Sequence, residues 1–262
     1  MRRLLRDRRA AFGAGVLAVV ACAAVAAPLV SSGHPAAQHD VVATRFLPPL
    51  ATDHAGGFHA LGTDRFGRDV WTRLVYGARI SLAVGALAVL LSIVIGVVVG
   101  AVAGYWPGPV RTLLLGLTDF VLALPRVVLL LLLAALARPS ALLVIAVLGL
   151  TGWMAIARLV HGEVRSLATR PFVEAAVALG LPGVRVLVRH ILPHALTPVI
   201  VSAALGLGVQ PPAPSWGNMI ASGRDTLVNA PWVATAPGIA LVLVVVACTL
   251  LGDALQDALD PA

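Results

Sequence analysis

Arg158, Glu163, Arg165, Arg170, Glu174, Arg185 and Arg189, with His161, His190 and His194, crowd into one polar stretch of an otherwise apolar chain. Few kinds of chemistry suit them. His190 and His194 are four apart, the spacing of a metal pair on a helix face, but Pro193 intervenes and no third ligand follows. His54 and His59 lie in a Pro/Gly-rich region and read as loop histidines, since no further ligands converge on them by sequence. The chain has neither the HExxH pattern of a zinc hydrolase nor the GxSxG turn of a serine nucleophile. All nineteen basic residues are arginine, so there is no lysine for a phosphate-binding P-loop. Any ATP is therefore bound by another chain, and no catalytic residue, metal ligand or cofactor is expected in this one. The net charge of +7 does not indicate nucleic acid, because the arginines flank apolar runs instead of forming one basic face.

Asp119 and Arg126 are the other ionisable pair of note. They lie seven apart, hence near one helix face, with Pro125 between them and apolar residues around them. Charges inside a membrane span are costly and face protein or water. Two readings stay open. Asp119 sits near the cytoplasmic end of its span and snorkels or caps, or the pair lines a translocation path.

Within the polar stretch, the run from Pro171 to Gly180 carries start and stop signals of a short helix. Pro171 suits a first turn, where its missing N–H is no loss. Glu174 favours the positive end of the helix dipole. Gly180, followed by Leu181, Pro182 and Gly183, is a stop. Eight to ten residues make a helix of about 12–15 Å, far too short to cross a bilayer. Such a helix between two apolar spans is a candidate docking element for a soluble partner.

The elements that must hold these groups follow from composition. With 262 residues, 59% hydrophobic and 12% charged, and a mean hydropathy of +0.95, the chain reads as a polytopic membrane protein. Apolar runs at 10–30, 80–103, 113–137, 141–156, 195–209 and 234–251 give nominally six spans of an all-α fold. A signal peptide competes for the first run, which is long for one and has further spans after it. Gly96, Gly100 and Gly104 repeat every four residues, with Gly85 and Ala88 nearby, which predicts close helix packing. Trp153, Trp216 and Trp232 are interfacial anchor types. Cys22 and Cys248 sit in apolar runs, which argues against a disulfide framework or a metal site. Arginines at the N-terminus, at Arg111 and in the polar stretch place those segments inside, with residues 31–76 outside and an acidic C-terminus inside.

Three groups of residues carry a family resemblance. Glu174-Ala175-Ala176 with Gly180, and Leu192-Pro193 further on, resemble the EAA loop of ABC-importer permeases. Leu61-Gly62-Thr63-Asp64 through Gly67-Arg68-Asp69, then Tyr76-Gly77-Ala78-Arg79-Ile80-Ser81-Leu82, resemble the dipeptide/oligopeptide/nickel branch. So does the ending Leu251-Gly252-Asp253 to Asp257-Ala258-Leu259-Asp260-Pro261. Asp119 and Pro125 match the family's D…LxxP pattern, whereas Arg126 is less typical. Asp64, Arg65, Arg68 and Asp69 alternate in sign and can form local ion pairs. They read either as a structural collar or as part of a face for a substrate-delivery protein.

The resemblance implies a MetI-like permease, the second, C-type subunit of its importer, in the bacterial plasma membrane with both termini cytoplasmic. Residues 1–76 would hold the first span and an extracytoplasmic loop, and residues 77–262 the permease domain with a coupling loop at 161–193. Glu174, Ala175, Ala176, Gly180, Leu192 and Pro193 would couple to an ATPase subunit, two alanines letting it approach closely. The implied partners are a second permease, two ATP-binding subunits, an extracytoplasmic substrate-binding protein and membrane lipid. Peptides are the expected substrate, with nickel the alternative; an ion-coupled secondary transporter would need midplane ionisable groups that the spans almost lack. The pattern breaks at 195–209. About fifteen residues cover only about 22 Å as helix, and a segment of about fifteen to twenty looks missing before Gln210. Poor assembly or low transport is the expectation from that shortened fifth span.

Overall fold

The computed structural model describes residues 7–31, 35, 37–38, 40–125, 128, 132, 140–196 and 216–259. Helices dominate them, as expected of an all-α membrane protein. Asp7 caps α1 (Arg8–Val25), its carboxylate accepting the Arg9 N–H at 2.8 Å. The chain turns at Ala26 into a four-residue helix, α2 (Ala27–Val30), with Pro28 in its first turn. The first apolar run is thus two helices instead of one. Next come α3 (Val41–Thr44) and a hairpin of β1 (Ala51–Thr52) and β2 (Phe58–His59). Then follow α4 (Val70–Tyr105), α5 (Pro109–Ala123), α6 (Ala141–Ala168), α7 (Pro171–Ala178) and α8 (Gly183–Val186). A π-helical turn, Leu187–Ile191, continues α8, and α9 (Trp216–Arg224) and α10 (Trp232–Leu259) complete the described chain.

Among the described residues four helices are long and apolar enough to cross a membrane: α1, α4, α6 and most of α10. The third expected span begins as α5. Arg126, the fifth span beyond Leu196, the run from Gly208 to Pro212 and the last residues from Asp260 lie outside the described residues. Two spans are longer than the apolar runs suggest. α4 starts at Val70 because Asp69 caps it, its Oδ2 accepting the Thr72 N–H at 2.7 Å. α6 continues to Ala168, so His161, Glu163 and Arg165 extend a helix that hydropathy alone ends near Ile156.

The chain divides into two compact units, Met1–Gly85 with Gly208–Leu251, and Ala86–Leu207 with Gly252–Ala262. In the first, a core of Ala24, Val70, Ala78, Trp216, Met219, Ala230 and Val233 joins residues from both ends of the sequence. Two indoles pin it. Trp216 Nε1 donates to the Leu74 carbonyl at 2.9 Å, and Trp232 Nε1 to the Thr63 carbonyl at 3.2 Å. Both tryptophans were expected as interfacial anchors in a loop; instead each begins a helix and bonds to the backbone. α1 meets α10 at Gly13, where a Cβ would lie 2.6 Å from the Ala247 carbonyl oxygen. Asp53 closes the hairpin. Its Oδ1 accepts the N–H groups of Gly57 at 2.6 Å and Ala55 at 2.9 Å. The Gly57 bond leads in holding that carboxyl below the usual carboxylate range.

In the second unit, the glycine stripe of α4 packs on α6 as expected. A Cβ at Gly96 would lie 2.7 Å from the Trp153 carbonyl oxygen, and one at Gly100 would lie 2.5 Å from that of Ala157. One at Gly104 would lie 2.8 Å from Val164 Cβ. Gly85 takes no part, since a Cβ there meets nothing within 4 Å. The Ser92 hydroxyl lies 3.1 Å from the Gly149 carbonyl oxygen and ties the two helices across the seam. Trp153 is no interfacial anchor: it is 6% exposed, packed with Met154, Ala157, Ile95, Val99 and Val121. Arg111 closes the turn after α4, its Nε donating to the Ala103 carbonyl at 3.0 Å.

Candidate functional site

The short helix expected from Pro171 is α7, eight residues with Pro171 in its first turn and Glu174 near its start. Its end is a Schellman motif. The Leu181 N–H bonds to the Ala176 carbonyl at 3.3 Å and the Gly180 N–H to that of Val177 at 2.9 Å. Gly180 takes φ +75, a left-handed conformation that favours glycine. Leu181 packs back on the core containing Ala176, the apolar contact that accompanies this motif.

α7 is anchored through one edge only. Val173 and Ala176, three apart, are buried with Ala101, Val160, Val164, Val186, Leu187 and Ile191. Phe172, Glu174, Ala175, Val177 and Leu179 are exposed, Leu179 at 82%. The two alanines of the EAA stretch therefore separate. Ala175 faces outward, but Ala176 is 7% exposed and fills the chain's own core. Among the described residues Glu174 makes no ion pair.

Leu192 and Pro193 sit behind α7. Leu192 packs on the same core, Pro193 is exposed, and the His194 ring lies 6.0 Å from that of Phe172. The π-helical turn Leu187–Ile191 precedes Pro193, and the Leu192 N–H bonds to the Leu187 carbonyl. Proline has no N–H to give and crowds the carbonyl four residues back, so a wider turn just before it relieves the clash. Gly180, Leu192 and Pro193 thus shape and support α7, while Glu174 and Ala175 stand on its outer face.

Asp119, on α5, is paired with Arg158 of α6: Nη2 lies 2.6 Å from Oδ1. The expected partner, Arg126, is outside the described residues. Sequence reasoning passed over Arg158 because 39 residues separate it from Asp119.

The charged loop before α4 turns inward. Asp64 is 2% exposed and accepts the N–H groups of Phe66 at 2.8 Å and Arg68 at 3.0 Å. Arg68 Nη2 lies 2.7 Å from its Oδ2, and Arg73 pairs with the same oxygen. Asp69 takes His59 Nδ1 at 2.9 Å besides capping α4. Gly62 and Gly67 have φ of +72 and +69, so the turn needs both glycines. Arg65 alone faces outward, its guanidinium 4.6 Å from the Phe66 ring centre. The arrangement is that of a structural collar, with Asp64 and Asp69 committed to it.

Known proteins resemble the chain along its whole length. Residues 96–262 match the binding-protein-dependent transport system inner membrane component family. Residues 1–49 match the N-terminal transmembrane domain of oligopeptide transport permease C. A putative peptide transport system permease protein of Brucella abortus is 37% identical over 275 residues, covering 99% of this chain and 90% of the relative. A dipeptide transport system permease protein of Alkalihalophilus pseudofirmus is 36% identical over 278, covering 99% and 88%. A glutathione transport system permease protein of Pectobacterium atrosepticum is 37% identical over 218, covering 78% and 72%. The first of these alignments runs to 275 positions against 262 residues here, so at least 13 have no counterpart in this chain. Four apolar helices, a short exposed helix between two of them and matches over both ends of the sequence agree: the chain is a multi-pass membrane protein and belongs to the family of binding-protein-dependent transport system inner membrane components.

Proposed function

We propose that this chain is one of two membrane-spanning subunits of an ATP-driven peptide importer. α7 is the element through which a separate ATPase subunit moves it. The observation that carries this is the outer face of α7. Phe172, Val177 and Leu179 leave apolar surface exposed around Glu174, on a helix whose two ends are fixed by Pro171 and the Schellman turn. Apolar surface so displayed marks a protein contact. A short rigid helix passes on a push as a body, so nucleotide-driven closure of the ATPases shifts the spans between two packings. This chain binds no ATP and does no chemistry. A binding protein delivers the substrate from outside, to a path shared with a second permease. Peptides are favoured over nickel because the relatives named above are peptide and glutathione permeases.

Glu174→Arg, with its partner subunits present, should lower ATP-driven dipeptide uptake into vesicles at least tenfold while the protein still inserts. Unchanged uptake and unchanged ATPase association would refute coupling through α7. Nickel accumulation without peptide uptake by the unaltered transporter would replace the substrate.

Residues 31–76 should lie outside the cell, and both termini inside. With Cys22 and Cys248 replaced, a cysteine at the exposed Thr52 should react with an impermeant thiol reagent on intact cells. Protection there, with labelling of a cysteine at the exposed Ser166, would invert the topology.

A further inference from the structure

Residues 183–196 form one continuous helical rod: α8, the π-helical turn and five residues beyond it. The rod has two faces. Val186, Leu187, Ile191 and Ala195 are buried in the core that also takes Val173 and Ala176 of α7. On the other side Val184 and Val188 are 61% and 56% exposed, and Arg185 and Arg189 beside them are exposed too. The members of each pair are four apart, so an apolar stripe and a cationic stripe run side by side. Among the described residues neither arginine makes an ion pair.

The two ends of the rod set its height. Gly183 sits against Tyr105, where a Cβ would lie 3.1 Å from Cε1 of the ring. Tyr105 is the last residue of α4. The apolar run at 80–103 measures about 36 Å as helix, against a hydrocarbon core of about 30 Å. Tyr105 therefore lies about 3–8 Å beyond the core, at the level of a headgroup layer about 5–8 Å deep. At the other end Ala195 begins the apolar run at 195–209. Arg185 and Arg189 stand between a mark at headgroup level and a mark at the entry to the core.

We propose that this face binds an anionic phospholipid of the cytoplasmic leaflet, with both guanidiniums on its phosphate and the two valines against the upper part of its chains. This rests on the reading that places residues 161–193 inside the cell. Charge complementarity chooses the occupant. A zwitterionic headgroup brings its own ammonium to two unpaired guanidiniums, whereas an anionic headgroup does not. The guanidinium suits phosphate in particular, because its planar fork can hold two oxygens. Each arginine beside an anionic surface adds about fivefold to the affinity. Val184 and Val188 add the apolar burial by which an interfacial helix holds to a bilayer.

The test uses the assembled transporter, otherwise free of cysteine, with Val188→Cys carrying a fluorophore. It is reconstituted into vesicles of phosphatidylcholine and phosphatidylglycerol in equal parts, and one of the two lipids bears brominated chains. Brominated phosphatidylglycerol should quench the label at least about fivefold more than brominated phosphatidylcholine. Arg185→Gln with Arg189→Gln should abolish that preference, and Arg185→Lys with Arg189→Lys should keep most of it. Added salt should weaken the preference with both arginines in place, a readout that needs no variant of either. Equal quenching by the two lipids, or a preference that survives in the glutamine variant, would leave only a generic lipid contact and overturn the proposal. Quenching by neither lipid would mean that a protein partner covers this face, the ATPase if stripping that subunit restores it, and would also overturn the proposal. Inverted thiol labelling at 52 and 166 would instead sink the placement inside, and with it the leaflet, while the quenching would still report on the headgroup.

Discussion

Gly100→Leu should leave almost no assembled protein. A Cβ at Gly100 would already lie 2.5 Å from the Ala157 carbonyl oxygen and 2.7 Å from Val160 Cβ. The first of these is backbone of α6 and cannot rotate aside. The helices would have to part, and the contacts at Gly96 and Gly104 lie one turn to either side, so the whole seam opens. Overpacking a tight core costs about 1–3 kcal/mol and sometimes more. Between membrane helices, close backbone approach is itself much of the attraction. Gly100→Ala should show the same defect in milder form. Gly85→Ala, on the same helix with open space before it, should be neutral or slightly stabilising. Yield and monodispersity after detergent extraction measure all three. Normal yield of Gly100→Leu would mean that α4 and α6 do not touch along this stripe.

Asp64→Ala should cost about 3–5 kcal/mol, the penalty for removing one partner of a buried ion pair. Arg68 and Arg73, with side chains 20% and 16% exposed, would keep their charge with no carboxylate between them. The turn would lose two further hydrogen bonds to backbone N–H groups. A domain stable by about 5–15 kcal/mol loses much of its margin in that way. Arg65→Ala, by contrast, removes an outward side chain in contact with Phe66 and should change stability by less than about 1 kcal/mol. Thermal unfolding of the purified variants, followed beside the unaltered chain, separates the two. Equal melting temperatures for Asp64→Ala and Arg65→Ala would show that the collar is not a source of stability.

What could be read from the sequence was mostly local. Pro171 and Gly180 act within their own turns, so the start of α7 was legible to the residue, and its stop was legible at Gly180, two residues past the helix end at Ala178. The glycine stripe was legible because spacing alone sets the face. Which face of α7 turns inward was there to be seen in Val173 and Ala176, three apart, but the run is apolar nearly all round and gives no contrast. The start of α4 was missed because Asp69 was read as a surface charge and not as a cap. Trp216, Trp232 and Arg158 bond to groups 142, 169 and 39 residues away, a distance that no local pattern encodes.

The bond from Trp232 to Thr63 sets an order of events in the making of the protein. Thr63 leaves the ribosome 169 residues before its indole partner exists. At about 5–20 residues per second, that wait is roughly ten to thirty seconds. Throughout it, Ala24, Val70 and Ala78 stand without the residues that complete their core, Trp216, Met219, Ala230 and Val233. The first unit is therefore born open and sealed by the last helices of the chain. Ribosomes stalled before α9 would display an unfinished first unit, open to quality-control proteases for as long as synthesis is delayed.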